Sequence, residues 1–237
     1  MMGTAPFFQI QPTVFFIESP GPEDIYEDRT EGRALSAALR LAGIENVLHT
    51  ALDLQSLERA LGDAATYISN SLRHIRPHIV PIIHLSAHGN ADGLALSTGV
   101  LVSWSELRGM LVRFLEQARS VFDREDPLSL TGLCISACQG AHASAMFEEG
   151  LPYPCLGIVG STEDVEWADS LTAFIAFYHH LFYKDSSVSD AVAIMNKAAG
   201  VTSFGMHFPE DLGSHFRQYG LFASDELESR LRLPTSQ

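Results

Sequence analysis

Short apolar runs alternate along the chain with longer stretches in which apolar residues recur every three or four positions. The run TVFFIES (13–19) stops at Pro20-Gly21-Pro22, and 24–42 carries Ala and Leu at helical spacing up to Gly43, predicting a strand followed by one helix. The pair recurs: NVLHTAL (46–52) is a second strand, and Asp53 can cap a helix with Leu54, Leu57, Leu61 and Ala65 on one face. IVPIIHLSA (79–87) reads as a buried strand, and the turn-forming HGNADG after it reads as a loop. GLALSTGVLVS predicts a hairpin around Thr98-Gly99, and Ser103 with Glu106 forms a capping box at the start of WSELRGMLVRFLEQA.

Beyond the polar RSVFDREDP, LSLTGLCIS predicts a strand ending at Ala137-Cys138, and AHASAMFEEG a short helix closed by Gly150. CLGIVGS (155–161) is a further strand, and WADSLTAFIAFYHHLFY is a helix with a core-packing stripe of Phe174, Phe177, Tyr178 and Phe182. SVSDAVAIMNKAAG is another amphipathic helix, FRQYGLFA an edge strand, and SDELESRLRLPTSQ a polar tail. Strands apolar on both faces and alternating with helices specify an α/β fold, a mostly parallel sheet flanked by helices on both faces. No repeat or linker divides the 237 residues, so a single domain is expected.

Composition narrows the function. A formal net charge of −14 argues against a nucleic-acid partner. Cys134, Cys138 and Cys155 form neither an even disulfide set nor a C-x-x-C pair, and the start MMGTAPFFQI lacks the basic and long apolar regions of a signal peptide. A reducing cytoplasm is the expected location. No apolar run approaches the roughly 20 residues that a membrane-spanning helix needs, so no membrane partner is expected.

Open sheets of this kind bind ligands beyond the carboxyl ends of their strands. Two predicted strand ends carry reactive groups there, His88-Gly89-Asn90 and Cys138-Gln139-Gly140. A thiol becomes a nucleophile on losing its proton, and an imidazole can take that proton and later deliver it to the leaving group. The amides of Cys138 and Gly89 can donate to an oxyanion. Together they point to acyl transfer onto Cys138. Alternation along LCISAC turns Cys134 into the sheet layers, and Cys155 is likewise structural.

SACQG resembles the caspase signature Q-A-C-[RQG]-G with its histidine about 50 residues upstream, Ser136 replacing the leading glutamine. The stretches IIHLSAHGNADGLAL, VSWSELRGML, LCISACQGAHAS, CLGIVGSTEDVEWADSLTAFIAFYHHLFY and SVSDAVAIMNKA resemble more closely the CHAT-domain caspase-like cysteine peptidases, relatives of caspases and separase, over about residues 79–200. The resemblance implies a caspase-like fold, His88 as general base, Cys138 as nucleophile, hydrolysis of peptide bonds in a protein substrate, and no cofactor. It also implies a bacterial role in antiviral defence or regulated cell death. With no further domain in the sequence, control is expected from a separate regulatory protein or from ordering of loops such as 119–127.

Two other readings stand beside this one. A protein of peptidase fold can bind without cutting. A zinc site is suggested by the four-residue spacing of Cys134, Cys138 and His142 and of His84 and His88, but on strands that spacing spans about 13 Å and gathers no ligands. His179-His180 on the aromatic helix read as packing or surface. For specificity, caspases hold an acidic side chain with arginines and the glutamine replaced here by Ser136, whereas no Lys or Arg occurs from Glu125 to Tyr183. Glu163, Asp164, Glu166 and Asp169 follow the next strand, where separase-like relatives place an acidic specificity residue. Cleavage after Arg or Lys is therefore expected, with Asp164 or Asp169 in the pocket beside Ser136; Arg29 and Arg33, after the first strand, are the groups able to restore an acidic preference.

Overall fold

The computed structural model describes residues 11–73, 79–119, 131–148 and 150–209. Strand β1 (Gln11–Ser19) leads through a short helix α1 (Pro22–Tyr26) and α2 (Glu31–Leu41) to β2 (Glu45–Thr50), then α3 (Leu54–Arg73) to β3 (Ile79–Asn90). A hairpin of β4 (Gly93–Ala95) and β5 (Leu101–Ser103) precedes α4 (Trp104–Arg119). Then come β6 (Gly132–Ser136), a 3-10 helix (Gly140–Met146), β7 (Gly157–Ser161), α5 (Trp167–Tyr178), a π turn (His179–Tyr183), α6 (Val188–Ala199) and β8 (Phe204–His207).

The main sheet runs in the order β2-β1-β3-β6-β7-β8; only β8 is antiparallel, and the β4–β5 hairpin hangs off the end of β3. The continuous apolar runs follow from helices on both sides. Alternate residues feed two cores: Phe15, Ile17, Ile83, Leu85, Leu133 and Ile135 pack toward α3 and α4, while Val14, Phe16, Ile82, Cys134 and Val159 pack toward α2, α5 and α6. The predicted α/β sheet flanked on both faces is the observed architecture. Among the described residues no helix is long and apolar enough to cross a membrane.

Three local expectations are corrected. The helix expected over 24–42 is two helices, because Asp28 adopts a left-handed backbone (φ 55°) and Thr30 begins the second. Residues 88–90 are strand and not loop, since β3 runs past the parallel sheet and pairs antiparallel with β4. The segment after Cys138 is a 3-10 helix. The hairpin around Thr98-Gly99, the Ser103–Glu106 capping box and the Asp53 cap form as expected. The proposed edge strand FRQYGLFA, the polar tail and most of the loop 119–127 lie outside the described residues; the edge next to β7 is β8.

Candidate active site

His88 stands where β3 leaves the parallel sheet, one residue past the Ser19–Ala87 register pair. Its side chain is about half exposed (54%), and its ring is fixed on two sides. Nε2 lies 2.7 Å from Asp24 Oδ2, and the ring meets Trp167 edge-on, with centroids 5.4 Å apart. Asp24 is all but buried (3%) in α1, and its carboxylate also accepts from the Gly21 amide at 3.0 Å and pairs with Arg29 at 3.2 Å. Gly21 is small for a reason. A Cβ there would fall 3.0 Å from Asp24 Oδ2 and 3.1 Å from His88 Nε2.

Cys138 lies two residues beyond β6 in a strained turn. Gln139, next to it, adopts a left-handed backbone (φ 55°, ψ 24°), a conformation that costs a non-glycine residue on the order of 1–3 kcal/mol and concentrates at functional sites. The turn is pinned by Gln139 N–H to Glu163 O (3.0 Å) and by the Gln139 side-chain amide to Asp164 Oδ1 (3.0 Å). Gly140 packs so tightly that a Cβ would sit 2.6 Å from Ile135 Cγ2. The Cys138 thiol rests against Val165, 3.5 Å from its N–H and 3.7 Å from its carbonyl, and among the described residues no hydrogen bond joins it to His88. The two strand ends are nonetheless in contact: a Cβ on Gly89 would lie 3.0 Å from Ala137 Cβ and 3.1 Å from Cys138 O.

His88 and Cys138 open onto one cavity of about 560 Å³ with Gly21, Asp24, Arg29, Val165, Glu166 and Trp167. Its floor is a pair of buried hydroxyls, Ser136 Oγ and Ser170 Oγ, 2.6 Å apart. Ser136 is thus in the cavity. Asp164 and Asp169 are not among the lining residues: Asp164 is exposed and holds Gln139, and Asp169 lies in the first turn of α5. The acidic lining comes instead from Glu23, Asp24 and Glu166. Gly89 also lies outside the lining, opposite Leu94 in the β3–β4 ladder and against the Cys138 carbonyl.

Arg29 reaches the cavity but is held by Asp24 and Glu27, and Arg33 pairs with Asp28 outside it. Cys134 and Cys155 are buried; burial pushes the Cys134 thiol up to about 12 and Cys155 upward too. His84 is enclosed among Phe16, Phe174 and Tyr178, with Nδ1 2.8 Å from the Tyr178 hydroxyl. Among the described residues no three His, Cys, Asp or Glu side chains gather as metal ligands. Asp24 was missed by sequence reasoning because 24–42 read as one helix. The available signal was Pro-Glu-Asp directly after the first strand, at the carboxyl edge that also carries His88 and Cys138.

No protein-family model and no curated protein matches the chain.

Proposed function

We propose that the chain is a cysteine endopeptidase of the caspase-like, CHAT type, with Cys138 as nucleophile and His88 as its base. The observation that carries this reading is the opening of both side chains onto one cavity, at the carboxyl side of adjacent parallel strands, with Cys138 on a strained turn. His88 takes the thiol proton as Cys138 Sγ attacks the acyl carbon; the tetrahedral intermediate collapses, and His88 protonates the departing amine. Water then attacks the thioester with His88 as base, releasing the acid and restoring the thiol. For this the thiol exchanges its contacts with Val165 for one with His88, a tightening common on substrate binding.

A basic side chain before the cut is favoured by Glu23 and Glu166 on the walls and the Ser136–Ser170 hydroxyls on the floor, while Arg29 is already neutralised by two carboxylates. The reading includes a protein substrate, a cytoplasmic setting, a role in bacterial defence or cell death, and a separate activating protein. Profiling a peptide library tests it. Cleavage after Arg or Lys, abolished by Cys138→Ala and by His88→Ala with the fold intact, is expected. Cleavage dominated by Asp would remove the basic preference. The resting Cys138–Val165 contact favours a second reading, a silent binding module, which predicts no cleavage and a Cys138 no more reactive than an ordinary thiol.

A further inference from the structure

We propose that Asp24 is a positioning residue for the reaction, fixing the tautomer and orientation of His88 so that Cys138, His88 and Asp24 act as a triad. The inference rests on the cysteine-hydrolase reading. Its basis is the set of donors around one nearly buried carboxylate: His88 Nε2 at 2.7 Å and Gly21 N–H at 3.0 Å on Oδ2, and Arg29 at 3.2 Å on Oδ1. An ionised carboxylate accepts only, so Nε2 carries a proton and Nδ1 keeps the lone pair that receives the thiol proton. The same carboxylate then stabilises the imidazolium formed when that proton arrives.

The arrangement is rigid where rigidity serves this role. Trp167 packs against the ring in an edge-on contact, and a Cβ on Gly21 would fall 3.1 Å from Nε2. The ionisable groups sharing the cavity with His88 are Glu23 and Asp24 from α1, Arg29 from the segment before α2, Cys138 after β6, and Glu166 before α5. Asp24 alone among them bonds the ring, so its removal takes away the hydrogen bond that selects the tautomer and leaves only the Trp167 contact on the ring.

The test reads the alkylation rate of Cys138 by iodoacetamide in the full chain, from mildly acid to mildly alkaline pH, for the parent and for Asp24→Asn, Asp24→Glu, Arg29→Gln and His88→Ala. Asp24→Asn is expected to slow the reaction at neutral pH about 10- to 100-fold, the factor carried by a hydrogen bond to a charged group, and to give the pH profile of a free thiol. Asp24→Glu should recover part of the rate, and Arg29→Gln, which keeps the Asp24–His88 bond, should slow the reaction less than Asp24→Asn does. A folded Asp24→Asn with the parent's rate and profile overturns the proposal. So does an Arg29→Gln that matches Asp24→Asn, which would make Asp24 a clamp for Arg29. Should Asp24→Asn not fold, Gly21→Ala crowds the same nitrogen: a slowed reaction supports the role, and an unchanged one overturns it. His88→Ala separates the two levels. If it slows the reaction and Asp24→Asn does not, only the role of Asp24 fails; if neither matters, the hydrolase reading fails with it.

Discussion

Gly21→Ala should separate the stability of this fold from the competence of its site. Gly21 has φ −64° and ψ 162°, an extended backbone open to any residue, so the substitution introduces no backbone strain. By restricting the unfolded chain, Ala at a compatible position stabilises by about 0.4–1 kcal/mol. The new Cβ nevertheless falls 3.0 Å from Asp24 Oδ2, 3.1 Å from His88 Nε2 and 3.3 Å from His88 Cδ2. Asp24 is held by Arg29 and the Gly21 amide, whereas the His88 ring is half exposed, so the ring moves. A hydrogen bond to a charged group contributes about 1.5–3 kcal/mol, which at about 1.4 kcal/mol per factor of ten corresponds to a 10- to 100-fold loss of Cys138 reactivity. Urea denaturation and iodoacetamide kinetics on one preparation measure both effects. Unchanged or raised stability with a slowed thiol is expected; an unaltered rate, or a loss of more than about 1 kcal/mol in stability, refutes the steric argument built on these contacts.

The three cysteines should differ in reactivity: brief iodoacetamide treatment of the folded chain at mildly alkaline pH should modify Cys138 alone, as read by peptide mass spectrometry, because burial pushes Cys134 up to about 12 and raises Cys155. Modification of Cys134 before unfolding would contradict its burial. Tyr178→Phe should cost about 1–3 kcal/mol in urea denaturation, since the hydroxyl is the hydrogen-bond partner of the fully buried His84 ring; a neutral substitution would show that this bond contributes nothing net. Burial raises the Glu18 carboxyl above its ordinary range, against the opposing bond from the Gly32 amide. Its stabilisation is therefore complete below the ordinary glutamate range and is lost as pH rises through the raised value. Glu18→Gln keeps an acceptor for Gly32 and should flatten the fall in stability from mildly acid to neutral pH; an equal or steeper fall in the variant would contradict that sign.

The central strands were legible because they are sealed on both faces. Val14 to Ile17 and Ile82 to Leu85 must satisfy two cores at once, and that requirement leaves a continuous apolar run. His88 and Cys138 were legible because glycines and turn formers mark where those runs end. What escaped was set by tertiary contact. The break between α1 and α2 falls at Asp28, an unremarkable helix residue by composition whose left-handed backbone is one point in a longer path around Asp24. Residues 88–90 look like a loop until β4 supplies a ladder for them. β8 is four residues long and contains a glycine, too short for a period to show. The acidic lining of the cavity was assigned to Asp164 and Asp169 from their place after β7; the backbone turns Asp164 toward Gln139, and Glu23 and Glu166 line the space instead.

The order in which the strands are made differs from the order in which they lie side by side, and this has a consequence on the ribosome. β6 slots between β3 and β7, so β3 leaves the ribosome with one flank paired to β1 and the other bare. At roughly 5–20 residues per second, seconds pass between the synthesis of His88 and that of Cys138. During that interval the nascent chain already holds His88 and Asp24 but not Cys138, and the Val165–Trp167 wall is later still. The half-made chain holds only the part of the cavity lining that runs from Gly21 to His88. What it exposes meanwhile is the open side of β3, rich in Ile and Leu, and an unpaired apolar strand recruits other strands. Fragments ending before β6 should therefore aggregate, and the arrival of one short strand both quenches that tendency and brings Cys138 to the cavity.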